Sequence, residues 1–241
     1  MEIKHLFVDT EFTSLSKSGE LLSIGIVGDY AALYVEFPEN IQKVIDNPSN
    51  RNNQWLIENV INNLIMHNDP KIVNKWGISV KHLDDDHMFI YTNIDTKKKF
   101  QNILKLLMVC ECEKAGADDF EDCKWQFVSD CCHYDAMLIF DLLMDESALD
   151  IPEYIVPSFI DLDSVLSHAC EYETITFDVS RESLVKVASQ FNPKNIEDDP
   201  FYKVINSKHN ALYDAAVIKY LMESIALHGM DKFLSENKYL L

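Results

Sequence analysis

Short apolar runs separated by polar breaks dominate the start of the chain. "IKHLFVD", "LLSIGIVG" and "AALYVEF" are rich in β-branched and aromatic residues and are divided by polar or Gly/Asp turns, a pattern that predicts a three-stranded antiparallel meander. An Asn-rich connection follows Pro38. In the next stretch, "QWLIENVINNLI", Trp55, Ile57, Val60, Ile61, Leu64 and Ile65 recur at helical spacing. "DTKKKFQNILKLLMVCECEK" reads as a second helix, with Asp95 or Thr96 as its N-cap and Phe100, Ile103, Leu104 and Leu107 on one face. Beyond it, "KWQFVSD" and "PSFIDL" read as strands, and "YDAMLIFDLLM", "RESLVKVASQF" and "KHNALYDAAVIKYLMESIALHG" as helices, the last stopping at Gly229. Strands first, then alternating helices and strands, predict an α/β fold: a mixed sheet, meander plus parallel strands, flanked by helices. The expected organisation is a single domain over residues 1–241, with a helical, Asn-rich insertion around 40–100.

Composition agrees with a large buried core, since 47% of the 241 residues are hydrophobic and only six are Gly and seven Pro. No apolar stretch reaches membrane-spanning length, and "MEIKHLFVDT" lacks the basic start and apolar run of a signal peptide. The expectation is therefore a soluble cytoplasmic protein without a membrane partner. The six cysteines are unevenly spaced with no C-x-x-C pair, which suits reduced, largely buried thiols. A zinc site from Cys131, Cys132 and His133 is the weaker alternative, because adjacent cysteines on a strand point to opposite faces.

The net charge of −19 argues at first against a phosphate-rich partner. Its distribution changes that picture. Between Glu111 and Glu173 lie 17 of the 40 acids but only two of the 21 basic residues, so a polyanion could bind elsewhere, near Lys4, Lys97, Lys98, Lys99, Lys203 or Lys208. Most of these charges are expected only to keep the chain soluble.

Three acidic stretches carry the chemistry. In "FVDTEFTSL", Asp9 and Glu11 are two apart on a strand and so share a face, where like charge raises their pKa values. In "VSDCCHYDAMLIFDLL", Asp135 stands where a strand gives way to a helix; Asp130, at the strand's end, is its rival. In "HNALYDAAVIKYL", His209 precedes Asp214 by five residues, about 140° around a helix. His209 must then lie at or before the first turn, with Asp214 projecting from the helix body.

"FVDTEFTSL", "YDAMLIFDLL" and "HNALYDA" resemble, in order and spacing, the three motifs of the DEDDh 3′–5′ exonucleases, a branch of the ribonuclease H-like superfamily. "WLIENVINNL" and "PSFIDLDSVL" are similar to segments of the compact bacterial and phage exoribonuclease group within that branch, so the likeness spans most of the chain. It implies that Asp9, Glu11, Asp135 and Asp214 hold two divalent cations, Mg²⁺ or Mn²⁺, hard ions suited to carboxylate oxygens. It also implies that His209 is the general base, since a histidine's reference pKa near 6.5 lets it accept a proton at neutral pH. The tyrosine variant of the family would need Tyr where Asn210 stands, and Tyr213 is misplaced for that role. By the same likeness, Thr13 or the backbone near Phe12 contacts the terminal nucleotide, and Leu15 wedges against its base. Ser14 stands where the family often has Gly, and Phe12 where it has a small or hydroxyl residue.

The implied activity is removal of 5′-mononucleotides from the 3′ end of RNA, or of single-stranded DNA. A homodimer is left open. Two other classes stay in view: a non-catalytic nucleic-acid or protein-binding module on the same fold, and a phosphohydrolase of small nucleotides. Asp161 and Asp163 read as capping acids, and "NPKNIEDDPFYKVINSK" as a mobile loop that orders on substrate.

Overall fold

A computed structural model describes residues 2–16, 18–72, 77–117, 119–130, 132–145, 147, 150–170, 179–204 and 207–229. Among the described residues, seven strands form one mixed sheet in the order β4 (Ile78–His82), β5 (Met88–Asn93), β3 (Ala31–Glu36), β2 (Leu21–Val27), β1 (Ile3–Phe12), β6 (Lys124–Ser129) and β7 (Ile160–Asp161). The expected meander is its middle: β1 (Ile3–Phe12), β2 (Leu21–Val27) and β3 (Ala31–Glu36) pair antiparallel in sequence order. β6 (Lys124–Ser129) joins the free edge of β1 in parallel. All thirteen residues of β2 and β3 are buried, so helices cover both faces, as mixed sheets with parallel strands require.

Period-two alternation divides the core. Leu6 and Val8 pack with α4 (Lys97–Ala115) and α5 (Cys132–Leu143) on one face. Phe7 packs on the other face with α7 (Arg181–Ala188) and α8 (Ala211–His228). The helix limits follow local chemistry. Thr96 caps α4 by accepting from the Lys99 N–H, and α8 stops at Gly229 with φ 73°, a left-handed stop that lacks the Cβ penalty. Among the described residues, no helix is long and apolar enough to cross a membrane.

Three elements depart from the sequence reading. The helix expected over Gln54–Ile65 is α2 (Arg51–Asn59), then a 3-10 turn (Ile61–Asn63), then a short α3 (Ile65–Asn68). Asparagine amides explain the break: Asn59, Asn63 and Asn68 side chains bond the carbonyls of Trp55, Asn59 and Leu64, competing with helical bonding. Trp55, expected on the buried face, is 48% exposed. The region around 40–100 also contributes a hairpin that periodicity did not reveal, β4 (Ile78–His82) and β5 (Met88–Asn93), with β5 parallel to β3.

The "PSFIDL" strand shrinks to β7 (Ile160–Asp161), after which α6 (Leu162–Cys170) begins. Asp161 takes the Ser164 hydroxyl and Asp163 that of Ser167, so both acids serve their own helix. The polar segment before His209 contains two 3-10 turns and the buried Phe201. Asp199 holds it by accepting from the Phe201 and Tyr202 N–H groups. Cys131, part of the alternative zinc set, lies outside the described residues, whereas Cys110, Cys112 and Cys123 are buried free thiols.

Candidate active site

A splay in the sheet creates the site. The β1–β6 pairing ends at Phe7 opposite Val128, yet β1 continues to Phe12, and its register with β2 slips between Glu11 and Phe12. Such irregularities re-aim side chains. Asp9 and Glu11 share a face with Phe7, the face covered by α7 and α8. Thr10 points the other way, and its hydroxyl donates to Asp135 Oδ1 at 2.6 Å, fixing the acid in the first turn of α5. Asp130, just past the end of β6, turns into the same space.

Asp214 comes from the first turn of α8, a position where the helix N-terminus favours negative charge. Asn210 is the cap: its Oδ1 accepts from the Leu212 N–H, while its amide donates to the Tyr34 hydroxyl and the Asn63 carbonyl. His209 precedes it with φ 57°, an uncommon left-handed conformation for a residue with a side chain. The imidazole meets the Trp55 ring edge-to-face, centroids 5.4 Å apart. Asparagines of α2 and of the 3-10 turn after it reach both walls. Asn52 Nδ2 donates to the Thr13 carbonyl at 2.8 Å, and Asn63 Nδ2 to the Lys208 carbonyl at 3.0 Å.

One cavity of about 950 Å³ is lined by Asp9, Glu11, Asp130, Asp135, His209 and Asp214. Ligand oxygens of Asp9, Asp130 and Asp135 all lie within 4.8 Å of one another, and so do those of Asp9, Glu11 and Asp214. The four acids singled out from the sequence therefore converge, and the rival Asp130 joins them. Phe12, Thr13 and Leu15 also line the cavity. Phe12 stacks on Tyr134 with centroids 5.8 Å apart, Leu15 is 67% exposed, and Thr13 Oγ1 accepts from the Glu20 N–H.

Crowding leaves its mark on the acids. Burial, then the neighbouring carboxylates, push Glu11 up to about 8, against the opposing pull of Arg181. Burial raises Asp135 to about 7, although the Thr10 hydroxyl favours its charged form. Asp9 and Asp214 are raised for the same leading reason. Such a donor set, all hard oxygen and converging, could hold a metal ion.

Sequence reasoning missed Arg181. Its Nη1 lies 2.6 Å from Asp214, and its Nη2 contacts Asp130 and lies 3.8 Å from Asp9. Burial opposes its charge, but Asp214, Asp130 and Asp9 raise its pKa further. Two signals were available. Arg181 is one of only two arginines in the chain, and it opens a helix capped by Ser180, where a positive charge opposes the dipole.

No protein-family model matches this chain. A search of curated proteins finds no match either. The site's reading therefore rests on its geometry and on the motifs that compose it.

Proposed function

We propose that this protein is a metal-dependent 3′–5′ exonuclease of ribonuclease H-like fold that removes 5′-mononucleotides from the 3′ end of RNA, with single-stranded DNA as the alternative substrate. One observation carries the reading: Asp9, Glu11, Asp135 and Asp214, from three distant parts of the sequence, face a single cavity with His209 in its wall. Their motifs resemble those of the DEDDh exonucleases, and the mixed seven-stranded sheet is compatible with that fold.

Asp9, Glu11, Asp135 and Asp214 would hold two divalent cations, with Asp130 within reach of the same ions. When bound, these supply the Lewis acidity that phosphodiester hydrolysis needs. His209 accepts the proton of the attacking water, and its backbone is fixed through Asn210 so that the ring keeps its place beside Trp55. Phe12, Tyr134 and the exposed Trp55 and Leu15 give apolar faces for the terminal bases. Stacking of this kind tolerates any base, as end-trimming demands.

The test is incubation with 5′-labelled RNA and DNA oligonucleotides in Mg²⁺ or Mn²⁺. Progressive loss of 3′ nucleotides that disappears in Asp9→Asn supports the reading. Intact 3′ ends on every substrate, or undiminished shortening by Asp9→Asn, rejects it.

A further inference from the structure

Arg181 stands where the carboxylates are most crowded. Two overlapping sets of acids can hold a cation: Asp9, Asp130 and Asp135, and Asp9, Glu11 and Asp214. The guanidinium lies 3.8 Å from Asp9, which belongs to both, contacts Asp130 from the first, and lies 2.6 Å from Asp214 from the second. It thus spans the two sets rather than completing either. An arginine fork satisfies several carboxylate oxygens at once, and a guanidinium lodged among Asp9, Asp130 and Asp214 takes up space and lone pairs that ions coordinated at about 2.1 Å would need.

We propose that Arg181 is a displaceable internal counter-ion: it neutralises the carboxylate cage until divalent cations enter, and their entry expels its guanidinium into the cleft. This deepens the exonuclease reading and rests on the cage being a divalent-ion site.

Charge and placement both support exchange. A single guanidinium faces five acids, whereas two divalent ions bring four positive charges, so loading resolves repulsion that Arg181 leaves in place. The side chain is a third exposed, which gives it a route to solvent, and Lys186 and Lys208, the latter paired with Glu182, line the same cavity. Arg181 sits in the first turn of α7, a short helix anchored by Leu184, Val187 and Ala188. The exchange needs only side-chain rotation about that fixed base.

Calorimetric titration of the full chain with MnCl2, together with thermal unfolding in EDTA and in MnCl2, tests the exchange in wild type, Arg181→Gln and Arg181→Lys. Arg181→Gln should bind Mn²⁺ at least tenfold more tightly, unfold at a lower temperature in EDTA, and gain more in Tm from Mn²⁺. Arg181→Lys keeps the charge but cannot fork between Asp130 and Asp214, so it should fall between. It also serves if the Gln variant fails to fold. Equal or weaker Mn²⁺ binding by both variants, with wild type binding normally, overturns the inference and leaves the exonuclease reading standing. Absence of Mn²⁺ binding in all three removes both.

Discussion

Gly25 stands opposite Asp9 in the β1–β2 register, and the space its missing side chain leaves is filled by the main chain of Ala211. A Cβ there would lie 2.3 Å from the Ala211 carbonyl atoms and 2.4 Å from the Leu212 nitrogen. The start of α8 can approach the sheet only because residue 25 is glycine, and that approach brings Asp214 and His209 to Asp9. Gly25→Ala should therefore destabilise the chain by about 3 kcal/mol, the upper end for overpacking, because main chain rather than a flexible side chain must yield. Denaturant unfolding checks the stability. Calorimetry should also find weakened Mn²⁺ binding in the folded variant.

The raised carboxyl groups make stability depend on pH in a defined direction. Burial and neighbouring acids hold Glu11 up to about 8, so the folded chain keeps a proton that the unfolded chain releases near 4.5. This contribution is present below the unfolded value and is lost as pH rises through about 8. In EDTA, Glu11→Gln should match wild type below about pH 4, exceed it increasingly as pH rises to about 8, and level off above that. The gain should be several degrees in Tm, at roughly 3 °C per kcal/mol for a chain of this size. Thermal unfolding across that range is the check, and a constant difference would contradict the assignment. Mn²⁺ should remove the advantage, because the ion stabilises the ionised carboxylate.

His209 holds its left-handed backbone at φ 57°, a strain of about 1 kcal/mol that glycine does not feel. His209→Gly and His209→Ala both lose the imidazole and its contact with Trp55, and neither should shorten oligonucleotides. The glycine variant should nevertheless be the more stable of the two by about 1 kcal/mol. Paired urea unfolding curves decide it; equal stabilities would mean that the backbone relaxes freely.

Far from the cavity, Glu111 of α4 accepts from the N–H groups of Asp29 at 3.2 Å, Tyr30 at 2.8 Å and Ala31 at 2.5 Å. Those are the donors of the β2–β3 turn, and Gly28 makes room for the carboxylate. Burial raises Glu111, while these donors favour its charge. Glu111→Ala should cost about 2 kcal/mol, since the buried Ala31 N–H and two part-buried donors lose their acceptor. Unfolding measurements should show Glu111→Gln in between, because its amide keeps only one acceptor oxygen. Mn²⁺ affinity should change little in either variant.

Much of this molecule was legible in one dimension where periodicity and capping agree. The meander, the Thr96 cap and the Gly229 stop follow from alternation and from residues suited to their backbone. Strand periodicity put Asp9 and Glu11 on one face, and the four acids could be named as a set because the motifs around them resemble those of the DEDDh exonucleases. The β4–β5 hairpin escaped because β4 is largely exposed, so its pattern carries little hydrophobic contrast. Asp130 and Asp135 looked like rivals along the chain; in space, the end of β6 and the first turn of α5 adjoin, and both acids enter the cavity. Arg181 was hidden for a different reason. A basic residue that opposes the dipole at a helix start hints at acidic partners, but which ones it meets, at positions 9, 130 and 214, shows only once folding brings them together.

The asparagine-rich tract acts as a caliper. Because Asn52 grips the wall that carries Thr13 and Asn63 grips the wall that carries Lys208 and Asn210, the residues between them set the width of the cleft. Lengthening or shortening that span would alter the girth of any ligand admitted without touching a single acid.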